Sequence, residues 1–350
     1  MILPQNSNLV LTLMVLSLLC LGAWVSLFKA AGGWRFELFY LDFAFGVMLS
    51  AVICSFTLGD LGYDGFSFMD DLQHAGKRQL LYCLAAGVIF NLGNMFLLGA
   101  VSIAGISVAF PISLGIGVLF SAALGVLVKS GGNPTLVVLG CALILAAVVV
   151  SAMAYRINAV QRHEELARAG VAKSTRRPNP IKGIIIALVG GILIGSIGGL
   201  VARARIEDVG LGPYTAAAIF SLGVFLSSFV FDIFFINLPV DGEPVEFSDY
   251  LKGRAMQHIG GLLAGALWFG GLLMWMVATS VPAALQPGPL VRLLLGQSSP
   301  VVAALLGILV WKEVKGSDMR VKVLAGLMIA FFLCGLTMIG LSAISTPNLQ

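Results

Sequence analysis

QLLYCLAAGVIFNLGNMFLLGAVSIAGISVAFPISLGIGVLFSAALGVLV, residues 79–128, is apolar enough to lie in lipid yet carries groups that lipid does not want. Asn91 and Asn94 are three residues apart and so share one helix face, while Gly87, Gly93 and Gly99 let a neighbouring backbone approach closely. Pro111, flanked by Ser107 and Ser113, frees backbone groups in the following segment. Irregular backbone at membrane depth is tolerated only where protein buries it or a cavity receives it. The stretch therefore reads as two spans that surround a polar cavity inside a bilayer.

Composition extends that reading to the whole chain. Of the 350 residues 59% are hydrophobic and only 11% charged, with a mean hydropathy of +0.99, which is the balance of an integral membrane protein. A span needs about 20 apolar residues. Runs of that kind fall at 8–30, 36–58, 79–99, 104–128, 134–155, 181–203, 213–236, 256–278, 284–311 and 320–344. The expected class is an all-α integral membrane protein of ten transmembrane helices, with lipid and a small-molecule solute as partners, no nucleic acid, and a monomer or homodimer.

Basic residues set orientation. The side with both termini carries five, Lys77, Arg78, Lys129, Arg203 and Arg205; the other carries fifteen, seven of them between Arg156 and Lys182. The termini are expected outside, the linker 157–180 in the cytoplasm, and the chain in an inner membrane. Met1 to Asn8 holds no Lys or Arg and the first run is long enough to span, so the first helix is expected to be retained. Cys20, Cys54, Cys83, Cys141 and Cys334 are scattered within spans and suit neither a disulfide framework nor a metal.

Sliding the chain against itself by 177 residues superposes Gly22 on Gly199, Gly33 on Gly210, Gly46 on Gly223, Leu49-Ser50 on Leu226-Ser227, Asp64-Gly65 on Asp241-Gly242 and Gly93 on Gly270. Such matches over three spans indicate duplication. Five helices per half is an odd number, so the second half starts on the opposite side and the repeats are inverted, a recurrent plan of secondary transporters. The expected division is a first five-helix repeat at 1–156, the basic linker at 157–180 and a second repeat at 181–350.

Polar residues inside spans mark candidate sites. Asp42 lies about 9 Å from its helix start by helical rise. It is a candidate for proton coupling, or else an interfacial acid paired with Lys29 or Arg35. Arg292 lies about 12 Å into span nine and either meets solute or snorkels. Asn91 and Asn94 offer donors and acceptors to a neutral polar solute, or hydrogen bonds between helices. Trp268 and Trp275, with Trp24, can stack on a ring or simply pack. Gln297 stands in a polar cluster before Pro300. Asp232 reads as a residue at the cytoplasmic end of its span, and His74, His163 and His258 as isolated. No nucleophile, paired carboxylates or phosphate loop appears, so neither an enzyme nor an ATP-driven pump is expected, and no cofactor beyond a coupled H+.

Ten spans and a five-plus-five duplication resemble the drug/metabolite transporter superfamily. Within it the chain is similar to ureide permeases and bacterial glucose/ribose-type sugar porters. The likeness is carried by FYLDFAFGVMLSAVICSFTLGDLG (39–62), FNLGNMFLLGAVSIAGISVAFPIS (90–113) and INLPVDGEPVEFSDYLKGR (236–254). It implies alternating-access transport, probably the proton-coupled uptake of a ureide, nucleobase or sugar. Two departures stand out: the long linker with a nucleotide-loop-like motif of plant ureide permeases is absent, and Gly271 stands where a second-half asparagine is expected. The rival readings are a multidrug or metabolite exporter of the same fold and a non-transporting sensor or scaffold.

Overall fold

A computed structural model describes residues 1–32, 34–62, 65–127, 132–168, 181–206, 209–240 and 242–344. Its helices are α1 (Ser7–Ala23), α2 (Val25–Ala30), α3 (Phe36–Phe56), α4 (Phe68–His74), α5 (Lys77–Ala104), α6 (Ile106–Leu127), α7 (Pro134–Arg168), α8 (Ile181–Ala204), α9 (Pro213–Asn237), α10 (Phe247–Leu251), α11 (Ala255–Ala278), α12 (Pro289–Gln297), α13 (Ser299–Leu305) and α14 (Met319–Ser342). With no water in hydrocarbon, each backbone group has to find its partner within the segment, and a helix provides this. Nine of the described helices, α1 and α2 counting as one span, are long and apolar enough to cross a membrane, and the broken pair α12 with 299–310 makes up to ten. The protein is an all-α, multi-pass membrane protein.

Side chains facing away from the protein bear this out. Val138, Leu139, Leu145 and Val149 on α7 and Leu226, Val230, Ile233 and Phe234 on α9 are exposed, apolar surface that suits acyl chains.

Local chemistry fixes the ends and breaks. The Leu9 amide donates to Asn6 Oδ1 at 2.8 Å, a side-chain cap on α1. Pro213 and Pro289 stand in the first turns of α9 and α12, where a missing N–H leaves nothing unsatisfied. Pro300 follows the break between α12 and α13, and the span bends there by 44°. The first run is interrupted too, at Trp24. Of the expected linker 157–180, residues 157–168 prolong α7. The remainder lies outside the described residues, as do Asp64 and Asp241 of the repeat and residues 345–350.

The chain forms two compact units, one of residues 1–95 and 196–299, the other of residues 96–195 and 300–350. Helices α5 and α8 contribute to both. In the second unit α7 packs along α14 and α6. There Glu313 accepts from the backbone N–H of Ile106 at 2.9 Å and of Ser107 at 2.8 Å, supplying partners to the otherwise open first turn of α6.

The first unit is centred on α3, which packs on α9 and α11, with α1 against α11. Two helix crossings in it repeat one pattern. A Cβ at Gly46 of α3 would strike the Leu262 carbonyl of α11, and one at Gly223 of α9 would strike the Leu84 carbonyl of α5. One turn along, Gly265 of α11 faces the Phe43 carbonyl, and Gly87 of α5 faces the Phe220 carbonyl. The α3 and α9 members are 177 residues apart and the α5 and α11 members 178. One extra residue in the second connection shifts the register, so Gly93 corresponds to Gly271 instead of Gly270.

Candidate functional site

Every residue singled out from the sequence, Trp24, Asp42, Asn91, Asn94, Trp268, Trp275, Arg292 and Gln297, belongs to the first compact unit. They do not form one group. Helix α5 presents Asn91 and Asn94 on one face, as their spacing demands, and both are buried. Tyr40, three turns into the buried wall of α3 from its chain neighbours Phe36 and Phe39, reaches them. Its hydroxyl donates to Asn91 Oδ1 at 2.8 Å and accepts from Asn94 Nδ2 at 3.1 Å. Asn91 Nδ2 in turn donates to Ser227 Oγ at 2.8 Å and Ser228 Oγ at 3.2 Å on α9. Three helices are thus joined by neutral hydrogen-bonding groups in a dry interior, where each bond is stronger than in water. An amide offers two donors and two acceptor lone pairs, and the contact to Tyr40 occupies one of Asn94's four.

Aromatic rings flank this network. Trp268 of α11 stacks on Phe90 at 4.6 Å and on Phe220 at 6.1 Å, while Phe43 lies 6.0 Å from Trp268 and 5.0 Å from Tyr40. Trp24 stands behind, 4.9 Å from Phe43. Flat rings beside fixed amides and hydroxyls are the chemistry that receives a small planar polar solute.

The other nominated residues lie elsewhere. Trp275 packs beside an apolar cluster of Val10, Met14, Ala278 and Val281. Arg292 donates to Gln286 Oε1 at 2.6 Å, and Gln286 is itself anchored by the Val281 carbonyl at 2.7 Å. Gln297 is exposed at the end of α12.

Asp42 is buried, but its partners are neither Lys29 nor Arg35. Tyr250 Oη donates to one carboxylate oxygen at 2.6 Å, and His258 Nδ1 lies 2.8 Å from the other. Trp34 covers both, stacked on Tyr250 at 6.1 Å and edge-on to His258 at 4.8 Å. Burial, followed by the Asp42 contact, pushes the Tyr250 phenol well above its usual range, so Tyr250 remains a donor at physiological pH. His258 is therefore not isolated, and the hairpin carrying Tyr250 serves Asp42; both are more than 200 residues away in sequence, which no local pattern could join. Arg35 instead forks onto Glu37, at 2.8 and 3.2 Å.

The residue that sequence reasoning set aside is Asp232. It is 1% exposed, and neither carboxylate oxygen has a hydrogen-bond partner among the described residues. Its signal was in the sequence, since Asp232 is four residues from Ser228 and on the same helix face.

The ureide permease family profile matches residues 39–182, which takes in Tyr40, Asp42, Asn91 and Asn94. Curated relatives in Arabidopsis thaliana extend further. Ureide permease 1 is 24% identical, covering 91% of this chain and 93% of its own length. Ureide permease 4 is 25% identical, covering 93% and 95%. A solved crystal structure of a protein aligns over 98% of this chain and 100% of its own, with a TM-score of 0.54 at 15% identity, a likeness of fold.

Proposed function

We propose that this chain is a ureide-permease-like secondary transporter that carries a small neutral ureide or nucleobase-type solute across an inner membrane by alternating access. The observation that carries the reading is the buried network of Tyr40, Asn91, Asn94, Ser227 and Ser228 beside the stacked Trp268, together with the full-length similarity to ureide permeases. A neutral solute rich in N–H and C=O groups meets uncharged partners there without stranding a buried charge. The chain would act as a carrier without bound cofactor rather than as an enzyme, with Trp24 and Trp268 contributing the aromatic wall.

The paired crossings of Gly46 with Leu262 and Gly223 with Leu84 support two inverted five-helix repeats of the drug/metabolite transporter kind. In that reading the division at the linker 157–180 separates the halves, and the termini face outward. Trp275, Arg292 and Gln297 belong to the span-one and span-nine side and are proposed to act, if on solute at all, at its entry. Asp42 is the proposed proton-coupling group. Whole-cell uptake of labelled allantoin, uracil and glucose tests the class. Accumulation of allantoin or uracil that disappears in Asn91→Ala is expected; glucose uptake alone, or none of the three, would reject the ureide reading.

A further inference from the structure

Among the described residues four acids are buried: Glu37, Asp42, Asp71 and Asp232. Three are answered. Arg35 forks onto Glu37, Tyr250 and His258 meet Asp42, and the Gly212 backbone N–H donates to Asp71 at 2.9 Å. Asp232 has nothing on either oxygen. An ionised carboxylate stranded in an apolar interior is so unfavourable that the group takes a proton instead, and even as an acid it leaves a donor and an acceptor unused. A residue of Asp232's shape with no polar atoms, leucine, would fit an apolar site better.

The unused pair faces the candidate site. Ser228, tied to Asn91, stands four residues earlier on α9, about 6 Å along the axis. Glu37 and Tyr40 share one face of α3, and both lie within electrostatic reach of Asp232. The rings of Phe36 and Phe235, 5.9 Å apart, close the next turn. A metal cation is a poor occupant, because Glu37 already holds the Arg35 guanidinium and uncharged groups make up the rest.

Resting on the function proposed above, we infer that Asp232, as a carboxylic acid, recognises the H–N–C=O edge of the solute. Its O–H donates to the solute carbonyl while its second oxygen accepts the adjacent N–H, so two hydrogen bonds form and no charge is created. This edge is what ureides and cyclic lactams have in common and what sugars lack. Asn91 and its serines, one turn away, are left for the rest of the solute.

Uptake of labelled hydantoin into proteoliposomes of the full chain tests this, with Asp232→Asn, which keeps one donor and one acceptor, and Asp232→Leu, which keeps neither. Asp232→Asn should stay within about threefold of the wild-type KM. Asp232→Leu should raise KM at least about tenfold, since one hydrogen bond is worth roughly that factor, while its Tm does not fall. A wild-type KM in Asp232→Leu, or an equal loss in Asp232→Asn, overturns the inference. On the wild type alone, 1,3-dimethylhydantoin should compete at least about tenfold more weakly than hydantoin, and equal competition overturns it too. Failure of the wild type to take up hydantoin, allantoin or uracil would instead sink the functional reading beneath it.

Discussion

Tyr40 shows how one hydroxyl can hold a site together. It donates to Asn91 and accepts from Asn94, which fixes the orientation of two amides that could otherwise turn either edge to a solute. Removing it strands both. Tyr40→Phe should therefore destabilise the protein by about 1–3 kcal/mol, the usual penalty of leaving buried polar partners unsatisfied, and should also raise the solute KM. Trp268→Ala should act differently. It opens space beside Phe90 and Phe220, so stability falls by about 3–5 kcal/mol, as for other large buried aromatics, while Trp268→Phe restores a stacking face and recovers most of the solute affinity. Thermal unfolding of purified protein beside uptake kinetics separates the two; a Trp268→Phe variant as inactive as Trp268→Ala would show that the indole does more than stack.

At the scale of helices, the sequence was most informative where a single element carries the signal. Asn91 and Asn94 share a face because three residues separate them, and the bend near Pro300 follows from its ring. What could not be read is contact between distant elements. Asp42 gave no hint of Tyr250 or His258, because a carboxylate partner is chosen by helix packing and not by spacing. The 177-residue self-match found the correct glycines in α3 and α9 but missed a one-residue shift in α5 and α11, which only the paired crossings of Gly46 with Leu262 and Gly223 with Leu84 reveal. Those crossings make a prediction of equivalence. Gly46→Ala and Gly223→Ala each force a methyl into a facing carbonyl, so each should lower Tm, by similar amounts, whereas Gly326→Ala, which meets nothing within 4 Å, should leave Tm unchanged or raise it. A large loss at one crossing with none at the other would sever the proposed symmetry.

For the molecule as a whole, what distinguishes a pump of solute from a passive route is whether a proton gradient can drive it, and the geometry around Asp42 gives that question a definite form. The carboxylate is buried with 5% of its side chain exposed, while His258, 2.8 Å away, keeps 26% exposed. Imidazole changes charge near neutral pH, so it can pass a proton between water and the buried acid. With the proton on the imidazole the pair is ionic and Tyr250 adds a further donor, which holds the α9–α11 connection against α3; with the proton gone, one tie is lost. A gradient would thus bias whether the connection is held, and a ligand or proton shifts a conformational equilibrium only by such a difference between states. Asp42→Asn keeps an acceptor for Tyr250 and removes the charge. It should exchange labelled solute across proteoliposomes at a rate near wild type, yet fail to concentrate it when the outside is made acidic. His258→Gln should show the same split. Normal concentration of solute by Asp42→Asn under the imposed pH difference would leave Asp42 as a tie between helices and send the search for the coupling group to Asp232.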